Sequence, residues 1–448
     1  MDTDRFSTFS GGSTNADGDC VAHFELIWCW PPSDATSVPL LRVCESMGRS
    51  DSCSVRLTDS QVSFRHAEIT QQRGSLIIRD LGSTNGTFVD GHRVENAKLV
   101  PGSIVRIGRT VGVLARSTRV APVERFSPLA PGLLGGGRLE QAVAPARQMA
   151  RGELPILLEG ESGTGKERVA RAIHLWSQRP GDFVAVNCAA IPESLADGEL
   201  FGYRRGAFTG AVSGNLGHVR AAHQGTLLLD EVVELPTTLQ AKLLRVIEER
   251  EVPTLGQPKP VAVDLRVIAA AQRPLSESVL EGKFRADLYA RLNGLTVRVP
   301  PLRERPEDIV PLFVHFYQRA SSGVMPDLDA RVVEALCLHG FPMNVRELRM
   351  LAERLAGGSR HPAVLKLSHF RGQLCTDGGP LTRSHRARAR KHHDLARLGD
   401  ALAKHDGNVS RAARAAGISR QRAYRLLERI PKASVEVDEL PGDEVVDE

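Results

Sequence analysis

Ile156-Leu157-Leu158, followed within two residues by Gly160-Glu161-Ser162-Gly163-Thr164-Gly165-Lys166, constrains this chain more than any other stretch. The three apolar residues read as the end of a buried strand, the next seven match G-x-x-x-x-G-K, and Glu167 to Ile173 continue with helical spacing. Strand, glycine-rich turn and helix, in that order, is the context that makes such a turn a phosphate-binding P-loop. Its glycines let backbone N–H groups converge on phosphate oxygens, and the helix N-terminus adds positive potential. Lys166 then reaches the β- and γ-phosphates of ATP. Ser or Thr usually follows this lysine and serves Mg²⁺, but Glu167 stands here, so the ion must rest on another acid. Gly225 to Glu231 supplies one, an apolar strand closing on two carboxylates in a Walker B pattern. Asp230 would hold Mg²⁺, and Glu231 would orient or deprotonate the attacking water.

At 448 residues the chain has room for about three domains. Net charge is only +5, so any nucleic-acid surface must be local, and Arg383 to Lys391 (RSHRARARK) is such a basic run. Beyond Lys432 the charged residues are all acidic, which reads as a disordered tail. Seven scattered cysteines with no C-x-x-C pair fit a reducing cytosol better than a disulfide or zinc framework. No apolar run approaches the ~18 residues of a membrane span and no signal peptide opens the chain, so a cytoplasmic protein without membrane contact is expected.

Residues 1–20 are rich in Ser, Thr, Gly and Asp and read as disordered. Over 21–118, short strands (HFELIW, VPLLRVC, SVRL, AEIT, SLIIRD, TFVD, SIVRIG) alternate with turns, which predicts a seven-stranded antiparallel β-sandwich. Three loop signatures punctuate it: Gly48-Arg49-Ser50, Ser63-Phe64-Arg65-His66 and Ser83-Thr84-Asn85-Gly86-Thr87. At these spacings the segment resembles a forkhead-associated (FHA) domain. The resemblance implies phosphothreonine binding, with a phosphothreonine protein or its Ser/Thr kinase as partner. Arg49 and Ser63 would hold the phosphate, Thr84 and Asn85 the peptide backbone, and His66 would brace the loops. Arginine, hydroxyl and amide donors suit phosphate oxygens. Phe64 departs from the polar or basic residue common in that family, and Arg65 is the compensating candidate. Residues 119–135, rich in Pro and Gly, read as a linker.

Residues 136–372 resemble the AAA+ domain of bacterial enhancer-binding proteins that act on sigma-54. The run ELFGYRRGAFTGA (199–211) matches their sigma-54 contact loop, so Gly206, Ala207, Phe208, Thr209, Gly210 and Ala211 would touch sigma-54. VNCAAIPESL (186–195), QAKLLRVIEERE (240–251), FRADLYARLN (284–293), VPPLRERPEDI (299–309) and NVREL (344–348) agree in order. The resemblance implies an α/β P-loop ATPase with a helical lid and a homo-oligomeric ring, with nucleotide between subunits. Arg285 and Arg291 would be arginine fingers, Arg346 a nucleotide contact from its own subunit, and Asn187 a restraint on Glu231. Two departures stand out. Ala271-Gln272 replaces the Thr-Asn or Thr-His that usually ends the sensor I pattern, and Met343 replaces a common glycine. If that position has positive φ, Met343 is strained.

Residues 373–393 read as a basic linker, 394–431 as two short helices around Gly417, and 432–448 as the acidic tail. The helices resemble a Fis-type helix-turn-helix, an all-α DNA-binding fold whose last helix would place Arg420, Gln421, Arg422 and Arg425 at the major groove. Together these readings give an ATP- and Mg²⁺-dependent activator of sigma-54 RNA polymerase holoenzyme that is held at enhancer DNA and informed by phosphothreonine. The alternative is a DNA-binding repressor or adaptor with an impaired ATPase domain.

Overall fold

The structure is a computed structural model of the 448-residue chain and describes residues 23–31, 37–72, 75–117, 126–207, 213–257, 259–324, 327–358, 362–370, 373–374 and, singly, 409, 411 and 413. The chain divides into two compact units, Met1–Leu374 and Cys375–Glu448. In the second unit Val409, Arg411 and Ala413 are helical. The helix-turn-helix reading, with Arg420, Gln421, Arg422 and Arg425, otherwise lies outside the described residues, as do both expected disordered ends. Among the described residues no helix is long and apolar enough to cross a membrane.

Between His23 and Ser117 the expected β-sandwich forms from eleven strands rather than seven. A six-stranded sheet faces a five-stranded one. Alternation builds the core between them: in Ser75–Asp80, Leu76 and Ile78 turn inward, and Met47, Ile69, Val105 and Leu114 meet them from other strands. The additional strands are short, such as His92–Val94 and Asn96–Leu99, or follow one another without clear punctuation, so alternation did not expose them. VPLLRVC, for instance, is divided between Ser37–Leu40 and Cys44–Gly48, in different sheets.

The central domain is a five-stranded parallel sheet. Its strands are β1 (Ile156–Glu159), β2 (Phe183–Asn187), β3 (Thr226–Asp230), β4 (Arg266–Ala271) and β5 (Leu295–Arg298), in spatial order β2-β3-β4-β1-β5. Helices cover both faces, so the middle of each inner strand is apolar, and β4 is buried along its whole length. Its first residue, Arg266, is a buried exception. The guanidinium donates to the carbonyls of Gly152 at 2.7 Å and of Met149 and Leu154 at 3.3 Å, satisfying the turn after helix Gly137–Gln148. The end of the predicted linker is not a linker. Ser127–Ala130 and Leu133–Gly135 pair as a hairpin, and Ala130 and Leu133 bury against the central domain. Pro and Gly mark its turn, and the apolar residues around them are what pack.

Beyond β5 a helical lid follows. We label P-loop helix Lys166–Ser177 α1 and the lid helices α2 (Ile309–Ala320), α3 (Ala330–Leu338) and α4 (Asn344–Ala356). The lid and the sandwich share a hydrophobic core. Cys29, Trp30, Ile104, Val111 and Val113 leave the sandwich on the outer face of its larger sheet and join Phe313, Val333, Leu336, Cys337 and Phe341. A register shift between Trp28 and Trp30 lets Trp28 face the sandwich core while Cys29 and Trp30 face the lid. The Cys29 thiol lies against that of Cys337. That neighbour, together with burial, pushes the Cys29 thiol well above its usual range. At the edge, Arg106 Nε donates to Glu334 Oε2 at 2.8 Å while its guanidinium stacks 3.6 Å from the Phe88 ring.

Both side chains of the Arg106–Glu334 pair are nearly buried, at 11% and 7% exposure. Removing one partner strands the other charge, which costs about 3–5 kcal/mol. Arg106→Ala is therefore expected to lower unfolding free energy by about that much in urea titration, and Arg106→Ala with Glu334→Gln to recover part of it. A fully additive double variant would mean the pair does not interact.

Candidate functional sites

The nucleotide site begins where β1 stops. β4 lies beside β1 in parallel register, and Gly160 N donates to Ala271 O at 3.1 Å, so the loop leaves the sheet at a pinned point. Lys166, the first residue of α1, is buried, and its Nζ donates to Gly160 O at 2.8 Å and Glu161 O at 3.3 Å. Burial lowers its pKa, opposed by the charges of Asp230 and Glu231. Thr164 Oγ1 donates to Glu161 O at 2.8 Å, closing the turn. Glu167 points away from this set and pairs with Arg171 one helical turn on.

The lid grips the loop from outside. Arg303 donates two bonds to Glu161, at 2.6 and 2.5 Å. Arg303 above all, and also Asn344, hold the Glu161 carboxyl below the usual range. Asn344 is wholly buried, donating to Glu161 Oε2 at 3.2 Å and Ser162 O at 3.0 Å while accepting from Leu302 N at 2.8 Å. The buried Arg305 donates to Thr164 O at 2.8 Å. Gly163 has φ +76°, and a side chain there would strike the Met343 carbonyl. Only glycine fits both demands. Arg346, expected as a nucleotide contact, lies on the first turn of α4 and brings its guanidinium 3.5 Å from Ser162 Oγ of the loop. Met343 itself is unstrained at φ −100°; the left-handed residues are Phe341 and Asn344, at φ 42° and 54°. Asparagine tolerates that region, and the chain places it where the lid meets the loop. Arg303, Arg305 and Asn344 were contained in the quoted motifs, but nothing in their spacing assigned them to the loop.

Asp230 ends β3, in register with Asn187 of β2. Burial raises its pKa, Lys166 opposing. Glu231 follows with φ +54° and ψ +47°, and its N–H donates to Asp230 Oδ1 at 3.1 Å. From the other side of β3, Gln272 Nε2 donates to Glu231 Oε1 at 2.6 Å. The side chain of Asn187 accepts from Ala189 N at 3.0 Å, capping the short turn Cys188–Ala190. Arg285 caps helix Ala286–Leu292 and Arg291 lies in its last turn; Arg285 pairs with Asp287 at 2.7 Å and Arg291 with Glu248 at 2.6 Å. Neither joins the P-loop set in a single subunit. Gly206 and Ala207 begin the expected sigma-54 contact loop, and Phe208, Thr209, Gly210 and Ala211 lie outside the described residues.

The three sandwich loops converge as a second site. Arg49 N donates to Ser63 O at 3.1 Å and Arg49 Nε to Val62 O at 2.6 Å. Its guanidinium lies 4.8 Å from the ring of Phe64, which is 67% exposed. Gly48 lies so close to Phe64 O that no side chain fits. Thr84 N donates to Ser63 Oγ at 3.2 Å, joining the second and third loops. His66 is wholly buried and braces them as expected. Its Nδ1 accepts from Ser63 N at 3.0 Å, so the other nitrogen carries the hydrogen toward Gly86 O at 3.3 Å. Burial would raise Asp80, but bonds from Ser83 and Thr87 hold it below its usual range and fix the third loop. Arg65 is exposed beside this set. A chain of bonds leads from here to the lid: Asn85 Nδ2 to Gln61 O (2.7 Å), Gln61 N to Asp59 Oδ1 (3.0 Å), Arg109 N to Asp59 Oδ2 (2.5 Å) and Arg109 to Asp327 (2.6 Å).

Strand order, P-loop, paired acids and helical lid define an AAA+ type P-loop domain, joined here to an FHA-type sandwich. Family models agree: the sigma-54 interaction domain matches residues 135–298, the AAA+ ATPase lid domain 303–384 and the FHA domain 46–108. The pathogenicity-locus regulatory protein HrpS of Pseudomonas syringae pv. syringae is 50% identical over 204 residues, 45% of this chain and 68% of that protein. The sigma-54-dependent regulator UacR of Escherichia coli K12 is 51% identical over 205 residues, 45% of this chain and 35% of that one. DctD of Rhizobium meliloti, a C4-dicarboxylate transport regulator, is 41% identical over 300 residues, 65% and 62% of the two chains. The chain belongs to the family of sigma-54-dependent transcriptional regulators. Each match spans only part of the relative's length.

The raised pKa of Asp230 has a readable consequence. The neutral form is favoured in the fold, so stability from this carboxyl is fully present below its unfolded value and lost as pH rises through its folded one. Asp230→Asn, neutral throughout, is expected to unfold about 2–4 °C above wild type at pH 7.5 in calorimetry, and the gap should shrink toward acid pH. A gap independent of pH would show that burial of the charge is not its source.

Proposed function

We propose that this protein couples ATP hydrolysis to remodelling of the sigma-54 RNA polymerase closed complex. The observation that carries the reading is the convergence on one P-loop of Lys166, Asp230 and Glu231, from the segment matching the sigma-54 interaction domain, and of Arg346, from the segment matching the AAA+ lid domain. Lys166, drawn from the loop carbonyls it now contacts, takes the β- and γ-phosphates. The loop amides from Gly160 to Gly165 cradle them. Asp230, with Glu231 beside it, offers the hard oxygen ligands that suit Mg²⁺, which characteristically takes one or two carboxylates plus phosphate oxygens and water. That ion, when bound, neutralises charge on the phosphates. Glu231 accepts the proton of the attacking water, and Arg346 reports the state of the phosphates to α4 and the lid. Arg285 and Arg291, exposed and away from their own loop, serve a neighbouring subunit of a ring as arginine fingers. The loop 206–211 carries the resulting motion to sigma-54, the C-terminal helices hold the ring on enhancer DNA, and the sandwich loops read phosphothreonine through Arg49, Ser63, Arg65, Thr84 and Asn85.

Gln272 against Glu231 favours a second reading, a DNA-bound repressor or adaptor with impaired hydrolysis. One assay separates them: open-complex formation by sigma-54 holoenzyme on a supercoiled template with ATP. Wild type is expected to open the promoter, and Lys166→Ala and Phe208→Ala to fail. Wild-type protein that binds nucleotide without hydrolysing it supports the second reading. The bonded path from Asn85 to Asp327 also gives phosphopeptide a route to the lid. Phosphothreonine peptides from an oriented library are expected to change the ATPase rate of wild type at least twofold, and to bind Arg109→Ala equally well without that change.

A further inference from the structure

Gln272 stands at the position where the chain departs from its family, and its amide meets the carboxylate expected to act on water. Three features make this contact specific. First, its identity is chemically determined: an ionised carboxylate only accepts, so the group facing Glu231 Oε1 at 2.6 Å must be the amide nitrogen. Second, both ends are held. Ala271, just before Gln272, is pinned to the P-loop through Gly160 N, and Glu231 sits in the left-handed region with its N–H on Asp230. Third, the geometry is flanking. β3 lies between β2, which ends in Asn187, and β4, which leads into Gln272. On the β2 side the Asn187 oxygen is engaged with Ala189 N, whereas on the β4 side Gln272 reaches the Glu231 carboxylate.

We propose that Gln272 is a positioning residue that restrains Glu231 in the nucleotide-free subunit. The Oε1 lone pair that receives the Gln272 N–H is unavailable to a water proton, and the bond holds the carboxylate on the β4 side. Hydrolysis therefore waits on loss of this bond. Because β4 also carries the Gly160 contact, movement of the P-loop on phosphate binding reaches Gln272 through the adjacent Ala271. The length of the glutamine side chain is what gives the reach. The inference rests on the reading of Glu231 as the base.

The test is steady-state ATP hydrolysis by the full chain with Mg²⁺. Gln272→Leu, similar in size without a donor, is expected to raise kcat on the order of tenfold with KM for ATP within twofold of wild type. In the Glu231→Gln background the same substitution should give no gain, because the restraint acts only through that carboxylate. Gln272→Asn, one methylene shorter, should lie between wild type and the leucine variant, and serves alone if leucine prevents folding. An unchanged or lowered kcat in Gln272→Leu overturns the proposal, as does a gain that persists without the Glu231 carboxylate. Full activity in Glu231→Gln instead refutes the reading of the base, a different failure. If neither wild type nor Gln272→Leu turns over bound ATP, the restraint is also refuted.

Discussion

The grip of the lid on the P-loop is the contact on which the rest of the molecule depends. A glycine-rich turn has little of its own to hold a shape: its backbone groups must point inward for phosphate, and its side chains are few. Here the outer surface of the turn is secured by Glu161 against Arg303, by Asn344 across Glu161 and Ser162, and by Arg305 on Thr164. These bonds differ in kind. The Glu161 pair is about two-fifths exposed and exchangeable with water, so it suits a contact that must reform after each nucleotide cycle. Asn344 and Arg305 are buried, and losing either would leave polar groups without solvent. The lid is thus permanently tied to the loop at its base and adjustably at its rim.

That lid is also the floor of the sandwich. Val105 and Ile107 fill the sandwich core while Ile104 and Arg106 of the same strand meet the lid, so this strand has no solvent face. The sandwich, the lid and the P-loop form one continuous packed body: α3 packs on the sandwich, α2 packs on both α3 and α4, and α4 reaches the loop. Coupling between ends requires an element with two arrangements, not contact alone. The Glu161–Arg303 pair is an exchangeable contact where the lid meets the loop.

Much of this was legible in the residues, for identifiable reasons. Phosphate binding imposes glycines, a lysine and a flanking strand and helix in fixed order, so 156–173 reads correctly without help. The sandwich was legible as a class because alternation is a property of single strands, but strand number was not, since two- to four-residue strands have no period. The outer-face packing did leave a trace: Val111-Gly112-Val113-Leu114 is apolar on both faces, which an antiparallel sheet with one wet side would not tolerate. Arg303, Arg305 and Asn344 left no such trace, because a buried hydrogen-bonding role is set by a partner distant in sequence. The strain expected at Met343 falls instead on Phe341 and Asn344, since the chain turns two residues earlier and one later.

The shared core also says where this protein can be divided. A border drawn by sequence near residue 120 passes between segments that are separate in the chain and fused in space. Cutting there would leave Phe313, Leu336 and Phe341 without Trp30, Ile104 and Val113 over them, an oily face on the helices that grip the phosphate loop. Insolubility or altered turnover in a protein shortened in this way would therefore report an opened core as readily as a lost signal. Point changes in the three converging sandwich loops, which leave that face covered, are the cleaner instrument for asking what the sandwich tells the engine.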